Sequence, residues 1–252
     1  MMSIDYSKAA KCALFCKKVY ENFDTVRFDG ITLTPVLISE AKTDTQCAIL
    51  TEGTSATIVF RGSDSSQDWE TDFTTRLERA QFDQNVIQEL IVEPKEKTYP
   101  YATKNSSNAQ MHSGFVAAYF AVRNQIHDYI RTSEVTNVVT TGHSLGGALA
   151  TLCAVDLQYN FSAKITVESY TYGSPAVGNG GFRDSYNERV PNTYRIVHGM
   201  DLVPELPRWW QGYKSVDKEI RIGKRFSLNF ISQRFKDHAI DCYINVLKQL
   251  VK

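Results

Sequence analysis

Tyr6, Ala9, Ala10, Ala13, Cys16 and Tyr20 recur at steps of three and four, a stripe that predicts a helix over residues 6–21. Two β-rich runs follow, at residues 31–39 and 46–50, and then Thr57-Ile58-Val59-Phe60 runs into Arg61-Gly62-Ser63. A short apolar run halted by glycine reads as a buried strand ending in a loop. Residues 64–110 are mostly polar, and residues 94–110 read as loop. Periodicity resumes with Phe115, Tyr119, Val122, Ile126, Tyr129 and Ile130 on one face of a long helix. The β-branched run at residues 135–141 predicts a strand, which meets Gly142 and turns into a small-residue helix at about residues 144–159. Strands at 165–172 and 193–198 bracket a helix near 182–188, and Ile240, Tyr243, Ile244, Leu247, Leu250 and Val251 line a last helix. Strands alternating with helices predict an α/β fold: a mostly parallel central sheet with helices on both faces. No repeat or composition break divides the chain, so one domain over residues 1–252 is expected.

Composition narrows the partners. Lys plus Arg is 28 and Asp plus Glu is 28, a net charge of zero, which argues against a nucleic-acid partner because phosphate backbones are held by excess cationic charge. The apolar stretch from Phe115 to Val122 is far short of the ~20 residues a transmembrane helix needs, so no transmembrane segment is expected. The N-terminus has no basic region followed by an apolar one, which predicts no signal peptide and leaves a cytoplasmic or a mature secreted form open. The five cysteines lack metal-ligand spacing and are expected to be reduced.

The chemistry concentrates in Gly142-His143-Ser144-Leu145-Gly146-Gly147-Ala148. A G-x-S-x-G between strand and helix is a nucleophile elbow: small flanking residues permit a turn tight enough to lift the serine hydroxyl out of the sheet. The helix start behind it favours negative charge, as on an attacked carbonyl. A serine needs a base and the base an orienting acid, which α/β-hydrolases place in the order Ser, acid, His. Only His198 and His238 follow Ser144. His238, just before the last helix, is the expected base; His198 ends a strand and reads as a structural donor near the site. His112 precedes Ser144 and reads as structural. Among Asp156, Asp184, Asp201 and Asp217, the first two fall on helices and read as solvated. Asp201 follows a strand end, where ligand-facing groups of parallel sheets lie.

These residues resemble the class 3, fungal-type lipases, a family of α/β-hydrolases that includes triacylglycerol lipases, feruloyl esterases and some phospholipases. The likeness rests on I-V-F-R-G-S at residues 58–63, M-H-S-G-F at 111–115, T-G-H-S-L-G-G at 141–147, Y-G-S-P-A-V-G-N at 172–179 and R-I-V-H-G-M-D-L-V-P-E-L-P at 195–207. It implies Ser144 as nucleophile, Asp201 as acid, His238 as base, and an oxyanion hole from the backbone N–H groups of Ser63 and Leu145. It implies carboxylic-ester hydrolysis through an acyl-enzyme with no cofactor and no metal, on a small-molecule or lipid ester that can lie at a lipid–water interface.

The resemblance also implies a lid after the oxyanion residue, at residues 64–73. Trp69 and Phe73 there are spaced i, i+4 as an apolar pair beside four acids, which reads equally as a surface helix. Trp209 and Trp210 either line a substrate mouth or cap the core. Feruloyl-type, short-chain and phospholipid esters remain open on the substrate side, and a lipase-like binding protein without catalysis is the alternative of another class.

Overall fold

The computed structural model describes residues 4–63, 109–206, 212–224 and 236–251. Helix α1 (Tyr6–Lys18) starts at Asp5, whose carboxylate accepts the Lys8 N–H at 3.0 Å, and ends with Lys17 and Lys18 against the negative end of its dipole. The predicted helix overran this end by three residues. Tyr20 lies past it and turns toward His143 instead of continuing the stripe.

Strands β1 (Val36–Glu40), β2 (Thr45–Glu52) and β3 (Ser55–Phe60) form an antiparallel meander. Its tight β2–β3 turn is possible because Gly53 takes φ +59°. β1 begins at Val36, later than the pattern predicts, because Pro35 has no N–H to give a ladder. The order then runs α2 (Ser113–Thr132), β4 (Asn137–His143), α3 (Leu145–Phe161), β5 (Thr166–Tyr172), β6 (Gly178–Asn179), α4 (Gly180–Arg189), β7 (Thr193–His198), β8 (Tyr213–Lys214), β9 (Glu219–Ile222) and α5 (Ile240–Leu250). A 3₁₀ turn, Val203–Glu205, follows β7.

The main sheet has the order β1-β2-β3-β4-β5-β7-β9, parallel from β3 onward, while β6 and β8 pair separately. Register brings the carboxyl ends together: Phe60 lies opposite Gly142, His143 opposite Tyr172, and Tyr172 opposite Ile196. Alternation along β3 divides the core. Ile58 and Phe60 pack with α2 and α3, and Val59 faces α1 and α5 on the other side. Helices therefore cover both faces, as the sequence predicts. Cys12 and Cys16 are buried on the inner face of α1.

One expectation fails here. Asp156 is not solvated: it is 4% exposed and faces α2 from the middle of α3. Its Oδ2 accepts from Tyr119 Oη at 2.6 Å, Arg123 Nε at 2.8 Å and His127 Nε2 at 2.7 Å, and Oδ1 accepts from Asn160 Nδ2 at 2.8 Å. Burial alone would raise this carboxyl; bonds and charge from His127 and Arg123 outweigh it and hold it below the ordinary carboxylate value. The reason is the setting of α3, whose residues from Gly146 through Leu157 are all buried between sheet and α2. Asp156→Ala, which strips Arg123 of these bonds, is expected to cost about 3–5 kcal/mol in urea unfolding. A loss under about 1 kcal/mol would show that the cluster stabilises little.

Candidate active site

Ser144 joins β4 to α3 with φ 58° and ψ −130°, a conformation that costs a non-glycine residue on the order of 1–3 kcal/mol. Its neighbours make the turn possible. A Cβ on Gly142 would lie 2.1 Å from Gly146 O, and one on Gly146 would lie 2.3 Å from Phe60 O. The Ser144 N–H bonds Tyr172 O at 3.0 Å, anchoring the turn to the next strand. Serine at a helix start usually caps it through its hydroxyl. Here the side chain makes no cap bond, and Oγ, fully buried, has no hydrogen-bond partner among the described residues.

Asp201 arrives in the turn after β7 and His238 in the turn before α5. Asp201 Oδ2 lies 2.7 Å from His238 Nδ1, with both side chains buried. The same oxygen accepts the Tyr243 hydroxyl at 2.5 Å, and Oδ1 accepts the Val203 N–H at 2.9 Å. Burial would raise the Asp201 carboxyl; the charge and hydrogen bond of His238, then the bonds from Tyr243 and Val203, outweigh it and leave the pKa below the ordinary value. Gly173 makes the meeting possible. It takes φ +56°, and a Cβ there would stand 2.6 Å from Asp201 Oδ2 and 2.8 Å from His238 Nδ1. Gly173 directly follows the residue that anchors Ser144, so the pair sits at the elbow.

The end of β3 abuts the same turn, since a Cβ on Gly62 would come within 2.7 Å of His143 O. That contact packs the end of β3, one residue before Ser63, against the elbow. His112 caps α2, its Nδ1 accepting the Gly114 N–H at 3.1 Å. Asp184 is exposed on α4 and pairs with Arg183 at 2.7 Å, and Asp217 lies in the turn before β9, its N–H on Asn187. The lid segment with Trp69 and Phe73, and the pair Trp209 and Trp210, lie outside the described residues.

Sequence reasoning missed two residues. Periodicity marks Tyr243 only as an apolar helix position, although a buried tyrosine hydroxyl needs a partner. His143 reads in the sequence only as the variable position of the elbow motif. It is buried, and burial first and the neighbouring His238 second push its imidazole from 6.5 down to about 3. The unfolded chain therefore binds a proton below about pH 6.5 that the native state refuses until about pH 3. Stability should fall as pH falls through that window, by up to ~1.4 kcal/mol per pH unit from this group. Urea midpoints of His143→Gln, measured across the window, are expected to fall less steeply; parallel curves would contradict the assignment.

Sheet order, parallel connections and an elbow serine at the end of β4 define an α/β-hydrolase fold. More narrowly, the chain belongs to the class 3 lipase family, whose model matches residues 57–210. Among its relatives, secreted mono- and diacylglycerol lipase 1 of Fusarium solani is 37% identical over 113 residues, 43% of this chain and 33% of that protein. Secreted mono- and diacylglycerol lipase A of Penicillium cyclopium is 30% identical over 223 residues, 85% of this chain and 63% of that protein. The matches thus span less than two thirds of either relative. In structure, a triacylglycerol lipase whose catalytic centre is a serine protease triad superposes with a TM-score of 0.68 at 23% identity, over 94% of both chains. The propeptide complex of Rhizomucor miehei lipase gives 0.65 at 24%, over 88% of this chain and 70% of that one. At such identities the likeness speaks for the fold.

Proposed function

We propose that this protein hydrolyses carboxylic esters of lipids, acylglycerols first among them, through an acyl-enzyme on Ser144. The observation that carries the reading is the buried Asp201–His238 hydrogen bond of 2.7 Å set at a strained serine elbow. A carboxylate facing Nδ1 keeps the proton on that nitrogen, so His238 Nε2 is the nitrogen left to act as base. Ser144 Oγ attacks the ester carbonyl while Nε2 takes its proton, and the backbone N–H groups of Ser63 and Leu145 hold the oxyanion. The alcohol leaves with the proton from Nε2, and a water activated by the same nitrogen releases the acid. No residue in this scheme needs a metal or cofactor. The neutral net charge suits an uncharged ester at a lipid–water interface rather than a nucleic acid.

Acylglycerols are favoured because the relatives above are named for mono- and diacylglycerols and the structural neighbour for triacylglycerol. A phospholipase A1 of Oryza sativa, 36% identical over 115 residues, keeps the phospholipid reading open on the same site. The test is hydrolysis of p-nitrophenyl esters from acetate to palmitate, beside monoacylglycerol and diacylglycerol emulsions, methyl ferulate and phosphatidylcholine. Turnover of acylglycerols above the other classes supports the reading. Exclusive turnover of ferulate or phospholipid would move the substrate, and no turnover of any ester would leave the fold serving as a binding protein.

A further inference from the structure

Two further histidines converge on the turn that carries the base, and the reaction proposed above uses neither of them. His143 Nε2 lies 2.7 Å from the backbone carbonyl of His238, and His198 Nδ1 lies 3.2 Å from the carbonyl of Asp237. A carbonyl oxygen only accepts, so each of these ring nitrogens carries the proton. That sets the His143 tautomer as Nε2–H, and its bare Nδ1 accepts the Tyr20 hydroxyl at 3.0 Å. Two successive carbonyls of one turn are thus held by donors from two different strand ends. A third donor reaches the same turn: the Met200 N–H bonds Asp237 Oδ2 at 2.7 Å.

We propose that His143 and His198 are positioning residues, a clamp on the Asp237–His238 turn that sets the His238 imidazole against Asp201 and Ser144 at once; this rests on the hydrolase reading above. His143 is the last residue of β4 and is bonded to Ser144, while His198 is the last residue of β7 and leads into the turn bearing Asp201. Each donor therefore references the base to one of its two partners. The need is quantitative, since a misplacement of about 1 Å can cost about 100-fold in rate. The His143 ring also stands 4.5 Å from the His238 ring, centroid to centroid. A neutral His143 adds no positive charge beside the imidazolium formed when His238 takes the serine proton.

The test compares donor loss with donor replacement in the full chain. His143→Leu and His198→Leu remove the N–H; His143→Gln and His198→Asn return an amide N–H near the lost Nε2 and Nδ1. With p-nitrophenyl butyrate, kcat is expected to fall about 10- to 100-fold in the leucine variants, with KM within about twofold, and to return within about threefold of the parent in the amide variants. The downfield proton resonance of the His238–Asp201 bond should be present in the parent, weaken in the leucine variants and return in the amide variants, a readout independent of turnover. Folded leucine variants with parental kcat, or amide variants as slow as leucine, would overturn the clamp alone. Should His143→Leu fail to fold, the His198 pair decides on the same criteria. A parent that neither turns over esters nor labels at Ser144 would overturn the hydrolase reading and the clamp with it.

Discussion

Changing Ser144 to alanine is expected to lower kcat by about 10⁵- to 10⁶-fold, close to the loss seen when a triad serine is removed elsewhere. The fold should be indifferent to the change. Oγ makes no hydrogen bond to the described residues, so its removal strands no partner, and φ 58° is as strained for alanine as for serine. A melting temperature within about 3 °C of the parent, beside the loss in steady-state hydrolysis, is the expected pairing. Turnover within tenfold of the parent would mean another nucleophile.

Asp201→Asn is the second large effect, a fall of about 10²- to 10⁴-fold in kcat. The bonds around the carboxylate say why. Oδ2 accepts from both His238 and Tyr243, and Oδ1 accepts from Val203 N–H. An amide has one oxygen, and the backbone N–H of Val203 cannot reverse its role. The oxygen therefore settles on Val203 and the NH₂ faces His238, while the Tyr243 hydroxyl rotates to accept. Nδ1 must then accept too, which moves the ring proton to Nε2, where the base has to be bare. Asp184→Asn on the surface of α4 and Glu205→Gln, at the exposed residue of the turn after Asp201, should each stay within about threefold, since both side chains point to the surface. Circular dichroism should show all three variants folded. Near-parental turnover by Asp201→Asn with collapse in a control would mean a different acid.

What the sequence made legible follows from where information is local. The strand Thr193–His198 is marked by β-branched and aromatic residues and found with those bounds. The elbow is legible because steric demand on Gly142 and Gly146 is written in adjacent residues. Chain order leaves two histidines and several acids, and position after a strand end and before the last helix then points to Asp201 and His238, whose side chains the fold brings to 2.7 Å. Contacts set by packing between distant elements were not legible. Asp156 looks like one polar position on a helix, and only the burial of α3 on all sides turns it into the acceptor for Tyr119, Arg123 and His127. Those three recur along one face of α2, a polar stripe that could have signalled a buried partner. The roles of Tyr243 and His143 depend on α5 and β4 meeting at one turn, which periodicity does not encode.

The central claim, that Ser144 is the activated nucleophile, is tested most directly by labelling with a p-nitrophenyl alkylphosphonate, followed by intact mass and peptide mapping. The expected result is one adduct per chain, on Ser144, with esterase activity lost in step with labelling. An adduct on any other residue, or an active chain that takes no label, would contradict it.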